Sequence, residues 1–307
     1  MQEKYSYSKM ETYEGCPFKY KLKYVDKNYF NSSSIATEIG TAVHSCEEDI
    51  ANAIKDKQPI NYNQIKNKLI LKVEELKYKY PSDFWTLDKS NRTYQDKIDY
   101  YLEIGIYRLE NLMKAHPSYE ILGAEKEFSF EYNNEVIFSG YIDRVIKDNE
   151  TGNIIVQDIK TWAEPKDQKD LVTPLQFVVY TLAAKELYGV DCSQVECSYD
   201  LPFCDKVQKA GTKGFVERGK TKLNKLFDKI KAADFTPKPT PFCAWCEFSR
   251  TNPNAPKEGR HMCPYHLMWT RDNKTFAKEF EWQGMENHEK VLEAYNIKLQ
   301  KTIKIPQ

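Results

Sequence analysis

The stretch whose reading decides the fold is "GYIDRVIKDNETGNIIVQDIKTW", Gly140 to Trp162. Apolar and β-branched residues flank the turn-forming run Asn149 to Asn153, which predicts two strands joined by a tight turn. Within those strands stand Asp143, Asp158 and Lys160, where a plain hairpin would carry apolar or neutral side chains. Successive strand residues point to opposite faces, so Asp158 and Lys160, two apart, share one face. Asp143 can lie alongside them on the preceding strand, and Glu125 or Glu127 on the strand before that can add a third carboxylate. Hard cations such as Mg2+ or Mn2+ prefer such oxygen donors. Carboxylates converging without a neutralising partner are costly unless a cation binds among them. The plainer alternative is a solvated strand end with an incidental Asp–Lys pair. The flanks "IIVQ" and "TW" weaken it, because they make the strand read as buried.

Outward from this hairpin, residues 121–132, 135–147 and 153–161 read as three strands. A helix follows from Pro174 to Tyr188, with proline in its first turn and Gly189 at the position after its end. A strand over 194–201, a helix near 215–232, a Pro-rich cysteine-bearing segment at 236–266 and a charged, mostly helical tail at 272–303 complete the C-terminal part. Before the strands, a short helix over 5–25 breaks at Cys16-Pro17, and "NSSSIATEIG" reads as a polar turn before a helix from about Thr41 to Asp56. Helical patterns cover 62–79 and 93–115, the latter through Ile98, Tyr101, Leu102, Ile104, Gly105, Leu109 and Leu112. Helices before a small sheet, and one packed after it, predict an α/β domain with an N-terminal helical insertion.

Lys plus Arg and Asp plus Glu both number 45 in the 307 residues, so net charge points to no acidic or basic partner. No run is long and apolar enough to span a bilayer, and the first residues lack a signal peptide's apolar core. The expectation is a soluble, intracellular, cytoplasmic protein. A chain of this size folds without disulfide staples, so Cys46, Cys192, Cys197 and Cys204 are expected to be buried free thiols.

The motif "SGYIDRV…IIVQDIKTW" resembles the PD-(D/E)XK nuclease superfamily, in the branch of RecB-type nucleases and CRISPR-adaptation exonucleases. On that resemblance Asp143 matches the first metal-binding aspartate, Asp158 the second acidic residue and Lys160 the catalytic lysine. Gln176 and Tyr180, in "LQFVVYTLAAKELYG", match a Gln-x-x-x-Tyr motif on the next helix, lining the DNA side of the active site. In "EIGTAVHSCEE", His44 matches a metal-binding histidine, which suits Mn2+ better than Mg2+. Glu127 matches the acidic strand residue, with Glu125 competing for the role, and the Ile159 carbonyl is a further possible metal ligand. The resemblance implies a restriction-endonuclease-like core, a small mixed sheet flanked by helices. One nuclease domain would then span 1–307, with a helical part at 41–118, a catalytic core at 119–235, a metal-cluster module of 236–270 plus the Cys16 region, and a helical tail at 271–307.

Cys243 and Cys246 form a Cys-x2-Cys knuckle, and Cys263 follows after sixteen residues. Thiolates so spaced can hold one soft metal centre. The resemblance supplies Cys16 as the fourth ligand of a 4Fe-4S cluster joining the chain ends. The gap "EFSRTNPNAPKEGRHM" is longer than the family's usual loop. It leaves His261 or His266 as rival ligands, and a structural Zn2+ site as the alternative.

For nucleic acid, Lys9, Lys19, Lys21 and Lys23 interleave with Tyr5, Tyr7, Tyr13, Tyr20 and Tyr24. Cations serve phosphates and rings stack on unpaired bases, though a cationic helix with core-packed tyrosines reads the same. Lys206 and "KAGTKGFVERGKTK" offer a second basic, loop-like surface. No sequence-reading motif and no nucleotide-binding glycine loop are visible. The function expected is a metal-dependent deoxyribonuclease, an exonuclease acting sequence-nonspecifically on DNA ends or single strands in recombination, repair or replication, beside a helicase or recombination partner. The alternative is a non-catalytic DNA-binding or assembly subunit that keeps the fold.

Overall fold

The computed structural model describes residues 2–30, 33–86, 93–162, 164–269, 278 and 280–302. The expected tail helix therefore falls partly outside the described residues, at 270–277, 279 and 303–307. The chain divides into two compact units, residues 1–7 with 33–223 and residues 8–32 with 224–307.

The first unit is built on a six-stranded mixed sheet: β1 (Glu3–Tyr5), β2 (Tyr119–Asn133), β3 (Val136–Asp148), β4 (Ile154–Ile159), β5 (Val195–Leu201) and β6 (Lys206–Ala210). The helices, numbered along the chain, begin with α1 (Tyr7–Gly15) and α2 (Pro17–Tyr20). They continue with α3 (Ile35–Lys55), α4 (Tyr62–Lys79), α5 (Tyr94–Glu103), α6 (Arg108–Ala115), α7 (Leu175–Tyr188), α8 (Phe215–Lys231) and α9 (Met285–Thr302). β2, β3 and β4 form an antiparallel meander, while β4 and β5 run parallel and are joined through α7. Parallel neighbours need such a crossover.

Alternation divides the sheet's two faces. Ile146 and Ile155 are cross-strand partners and pack with Ile39, Val43, Leu69, Tyr101 and Leu109 of α3, α4, α5 and α6. The opposite face carries the fully buried Val145 and Val156, and α7 packs against β2, β4 and β5. A mixed sheet flanked by helices on both faces is the result, consistent with a restriction-endonuclease-like core. Among the described residues no helix is long and apolar enough to cross a membrane.

The differences from the expected elements have local causes. α3 begins at Ile35, well before Thr41, because Ser34 caps it: its Oγ accepts the Thr37 N–H at 3.2 Å. The 93–115 pattern splits into α5 and α6 at Gly105, where a Cβ would lie 2.5 Å from the Pro202 carbonyl oxygen. Lys206–Ala210, expected in a loop, pairs antiparallel with β5. Only the turn to α8 stays irregular, with Gly211 and Gly214 in the left-handed region that favours glycine. β1, of which only Tyr5 falls in the expected 5–25 helix, runs parallel to β3 through Glu3↔Val136 and Tyr5↔Phe138.

In the second unit Phe18, Leu22, Phe248, Tyr265, Phe280, Val291, Tyr295 and Leu299 form a core with Cys16, Cys246 and Cys263 packed against it. Tyr13 and Tyr20 are buried with ring centroids 5.2 Å apart, and the Tyr13 hydroxyl donates to the Asp234 carbonyl at 2.6 Å. In the first unit Tyr5 is buried as well. The packing alternative holds for these three rings, which are not available to stack on bases.

Candidate active site

The site arises from a fork in the sheet. One edge of β3 pairs with β2 along its length. The other edge is divided: Val136–Phe138 pair with β1, and Arg144–Lys147 pair with β4. The β3–β4 ladder stops at Arg144↔Gln157, yet β4 continues alongside β5 to Ile159↔Asp200. Beyond that point β3 and β4 part, and Asp143 occupies the gap. Its Oδ2 accepts the Ile159 N–H at 2.7 Å, replacing a backbone partner the fork removes. Gly140 allows the Phe128 ring to lie over β3, since a Cβ there would meet Phe128 Cζ at 3.1 Å.

Asp158 sits on β4 facing α7 and is buried. Its Oδ1 accepts from Gln176 Nε2 at 2.6 Å, and Oδ2 lies 2.7 Å from Lys160 Nζ without an aligned hydrogen bond. Gln176 also donates to the Tyr180 hydroxyl at 3.1 Å. Tyr180 packs edge-on against Phe128 and Phe177. Gln176 and Tyr180 are thus both buried, with Gln176 bonded to Asp158.

On α3, Gly40 passes Thr161, a Cβ there lying 3.4 Å from the Thr161 hydroxyl. One turn on, His44 Nε2 is 2.8 Å from the Ile159 carbonyl oxygen. That bond leaves Nδ1 facing Asp143 Oδ2 at 3.6 Å and Glu125 Oε1 at 3.7 Å. Among the described residues, ligand atoms of His44, Glu125 and Asp143 lie within 4.8 Å of one another. Glu127 is not brought to this cluster. The register explains why: Glu125 falls between Ala124↔Arg144 and Lys126↔Ile142, level with Asp143, whereas Glu127 pairs with the exposed Tyr141. Glu125 is held at φ +44°, a left-handed conformation costing a non-glycine residue on the order of 1 kcal/mol.

The electrostatics describe a site short of positive charge. Burial raises the Asp158 carboxyl to about 7, with Asp143 adding to the rise and Lys160 opposing it. Burial also raises Asp143, against the attraction of His44, the Ile159 N–H and Lys160. For His44 burial works downward, but Glu125, Asp143 and Asp158 outweigh it and hold the imidazole above its ordinary value. The donor set of carboxylate oxygens, a carbonyl and an imidazole fits Mg2+ or Mn2+.

The four cysteines Cys16, Cys243, Cys246 and Cys263 line one cavity of about 650 Å3 in the second unit, together with His266. Burial raises the Cys243 thiol, pushes Cys246 to about 12 and lifts Cys263 well above its ordinary range. His266 turns Nδ1 to the Cys263 carbonyl at 2.5 Å. Of the other cysteines, Cys46 and Cys197 are buried as expected, whereas Cys192 and Cys204 are half-buried. The expected cationic face is largely paired internally: Lys19 and Lys23 reach Glu247 at 2.8 and 3.7 Å, and Lys21 reaches Asp26 at 2.5 Å.

The sequence of this chain is similar to that of Gene 69 protein from Mycobacterium phage D29. The two are 24% identical over 275 residues, covering 81% of this chain and 96% of the relative. Residues 4–251 match the PD-(D/E)XK nuclease superfamily, a span that takes in most of β1, all of β2 to β6, and α3 and α7. The chain belongs to the PD-(D/E)XK nuclease superfamily.

Proposed function

We propose that this protein is a divalent-metal-dependent deoxyribonuclease of the RecB-type branch, an exonuclease acting on DNA ends or single strands during recombination, repair or replication. The observation that carries the reading is the fork itself, where His44, Glu125 and Asp143 converge and the Asp158–Lys160 pair lies near enough to interact electrostatically with Asp143 and His44. His44, Glu125, Asp143, Asp158 and the Ile159 carbonyl are the groups that would hold one or two Mg2+ or Mn2+ ions. Such an ion supplies charge stabilisation to the phosphate undergoing attack and acidifies water. Lys160 orients the attacking water, whose oxygen bonds to phosphorus as the ester P–O bond breaks. Gln176 fixes the Asp158 carboxylate through its 2.6 Å bond, and the neutral Tyr180 phenol fixes Gln176.

In the second unit, Cys16, Cys243, Cys246 and Cys263 would hold a 4Fe-4S cluster, with structural Zn2+ as the alternative. What supports a thiolate-held metal group is that all four cysteines line one cavity.

End-labelled single- and double-stranded DNA incubated with Mn2+ or Mg2+ tests the nuclease reading. Stepwise shortening from an end, abolished in Asp158→Ala, is the expected result. A folded, metal-loaded protein that binds DNA without cleaving it would favour the assembly-subunit alternative. Internal cuts without end-dependence would refute exonuclease action.

A further inference from the structure

Behind the fork, on the face of β3, β4 and β5 opposite Asp158, lies a buried ion network. Arg144 follows Asp143 in the chain and is fully buried. One terminal nitrogen donates to Glu47 Oε2 at 2.6 Å; the other donates to Asp200 Oδ2 at 2.7 Å and Gln157 Oε1 at 3.1 Å. The Tyr101 hydroxyl donates to Glu47 Oε1 at 2.9 Å, and Arg108 Nε donates to Asp200 Oδ1 at 3.2 Å. Arg144 thus bridges two buried carboxylates, and Arg108, at the edge of the network, also reaches the exposed Asp205 at 2.5 Å.

Three members, Glu47, Arg144 and Asp200, adjoin residues of the candidate metal site. Glu47 is three positions along α3 from His44, so the two project from neighbouring turns. Arg144 is covalently next to Asp143. The Asp200 carbonyl accepts the Lys160 N–H at 2.9 Å. One guanidinium thus ties together α3, β3 and β5, elements that carry or anchor His44, Asp143 and Lys160.

Packing alone gives no reason for such a group here. Ile146 and Ile155, on the same face, fill the neighbouring positions with apolar side chains. Replacing buried ions with apolar groups of similar volume is often neutral or stabilising. Directional bonds from one planar group, however, fix the rotation and height of α3 against β3, which apolar contacts leave looser. The groups behind metal ligands commonly set ligand orientation in this way.

We propose that Arg144, acting through Glu47 and Asp200, is a positioning residue that holds His44, Asp143 and Lys160 in the arrangement that binds the divalent ion. This rests on the metal-dependent reading of the fork. The experiment is Mn2+ titration calorimetry on the full chain, comparing wild type with Arg144→Met, Arg144→Lys and the near-isosteric Asp200→Asn. It is run at a temperature where circular dichroism shows each protein folded. Arg144→Met should bind Mn2+ about tenfold more weakly or worse, the size of effect typical of groups behind metal ligands. Arg144→Lys, which keeps the charge but not the fork of donors, should recover part of that loss. DNA affinity measured without divalent metal should stay near wild type.

A purely structural network would lower the melting temperature and leave the Mn2+ affinity of the folded protein unchanged. That result in Arg144→Met, or in Asp200→Asn should Arg144→Met not fold, overturns the proposal. Wild type that binds no Mn2+ overturns it together with the metal-dependent reading. Wild type that binds Mn2+ but cuts no DNA refutes only the nuclease activity, and a weakened Arg144→Met would then still support the positioning role.

Discussion

The Asp143 carboxylate accepts the backbone N–H of Ile159 at 2.7 Å, at the point where β3 and β4 part. A side chain thus closes a ladder that the backbone leaves open, and the group doing so is also a candidate metal ligand. The two roles separate by substitution. Asp143→Asn keeps an acceptor for the Ile159 N–H and should melt close to wild type. Asp143→Ala leaves that N–H unpaired, at about 1–3 kcal/mol, and should melt several degrees lower. Both should lose Mn2+-dependent cleavage by at least about a hundredfold, measured on end-labelled DNA.

Asp158 predicts an inverse relation between metal binding and stability. Its carboxyl stands near 7 in the fold against an ordinary 3.8, so the folded chain holds this proton more tightly than the unfolded chain. In metal-free protein that contribution is fully present below about 3.8 and is lost as pH rises through about 7. Asp158→Asn removes the ionisation and should raise the metal-free melting temperature at pH 8 by a few degrees, with a smaller gain at pH 5 and none below about 3.8. Mn2+ binding to wild type should weaken as pH falls below 7 and release protons. Calorimetry in buffers of different ionisation enthalpy measures that release.

Glu125 and Glu127 are separated by one residue and by register. Glu125→Gln should weaken Mn2+ binding on the order of tenfold or more, whereas Glu127→Gln should leave it within about twofold. Equal effects from both would contradict the side-chain placement at the fork. Because Glu125 has φ +44°, Glu125→Gly should keep or raise the melting temperature while still losing metal.

The four clustered thiols predict a coloured protein. Anaerobically purified material should contain iron and sulfide and absorb near 400 nm, at roughly that wavelength for thiolate-bound iron. Cys263→Ser should lose the chromophore and destabilise the second unit, while Cys204→Ser should change neither. Stoichiometric zinc in a colourless protein would replace the cluster by a single-ion site.

Much of the first unit is legible along the chain. The hairpin Gly140 to Trp162 declares itself through β-branched runs around Asn149 to Asn153, and it forms as β3 and β4. Gly189 ends α7 as expected, at φ +66°, whereas Pro174, expected in the first turn, stands just before it as the extended N-cap. Other features were not legible from neighbours. "NSSSIATEIG" reads as a turn until Ser34 is seen capping a helix. Tyr13 and Tyr20 read equally as stacking platforms or core, and burial decides between them. Glu47 and Arg144 carried a faint signal, one helical turn beyond His44 and one residue beyond Asp143, but charge at such positions is common on surfaces.

The sequence by itself determined the chemistry available here: two aspartates on adjacent strands with a lysine just beyond the second, a histidine on a helix, and four cysteines from distant segments. Those are properties of residue type and short-range period, which local sterics translate directly into strand and helix. Only the tertiary structure decided which glutamate joins the site, that the strands fork where Asp143 lies, and that Arg144 is buried with Glu47 and Asp200. These outcomes follow from register, from a displaced residue near Leu122 that shifts β2 against β3, and from which helix covers which face. They are set by contacts between residues far apart in the chain, to which the periodicity of any one segment is blind.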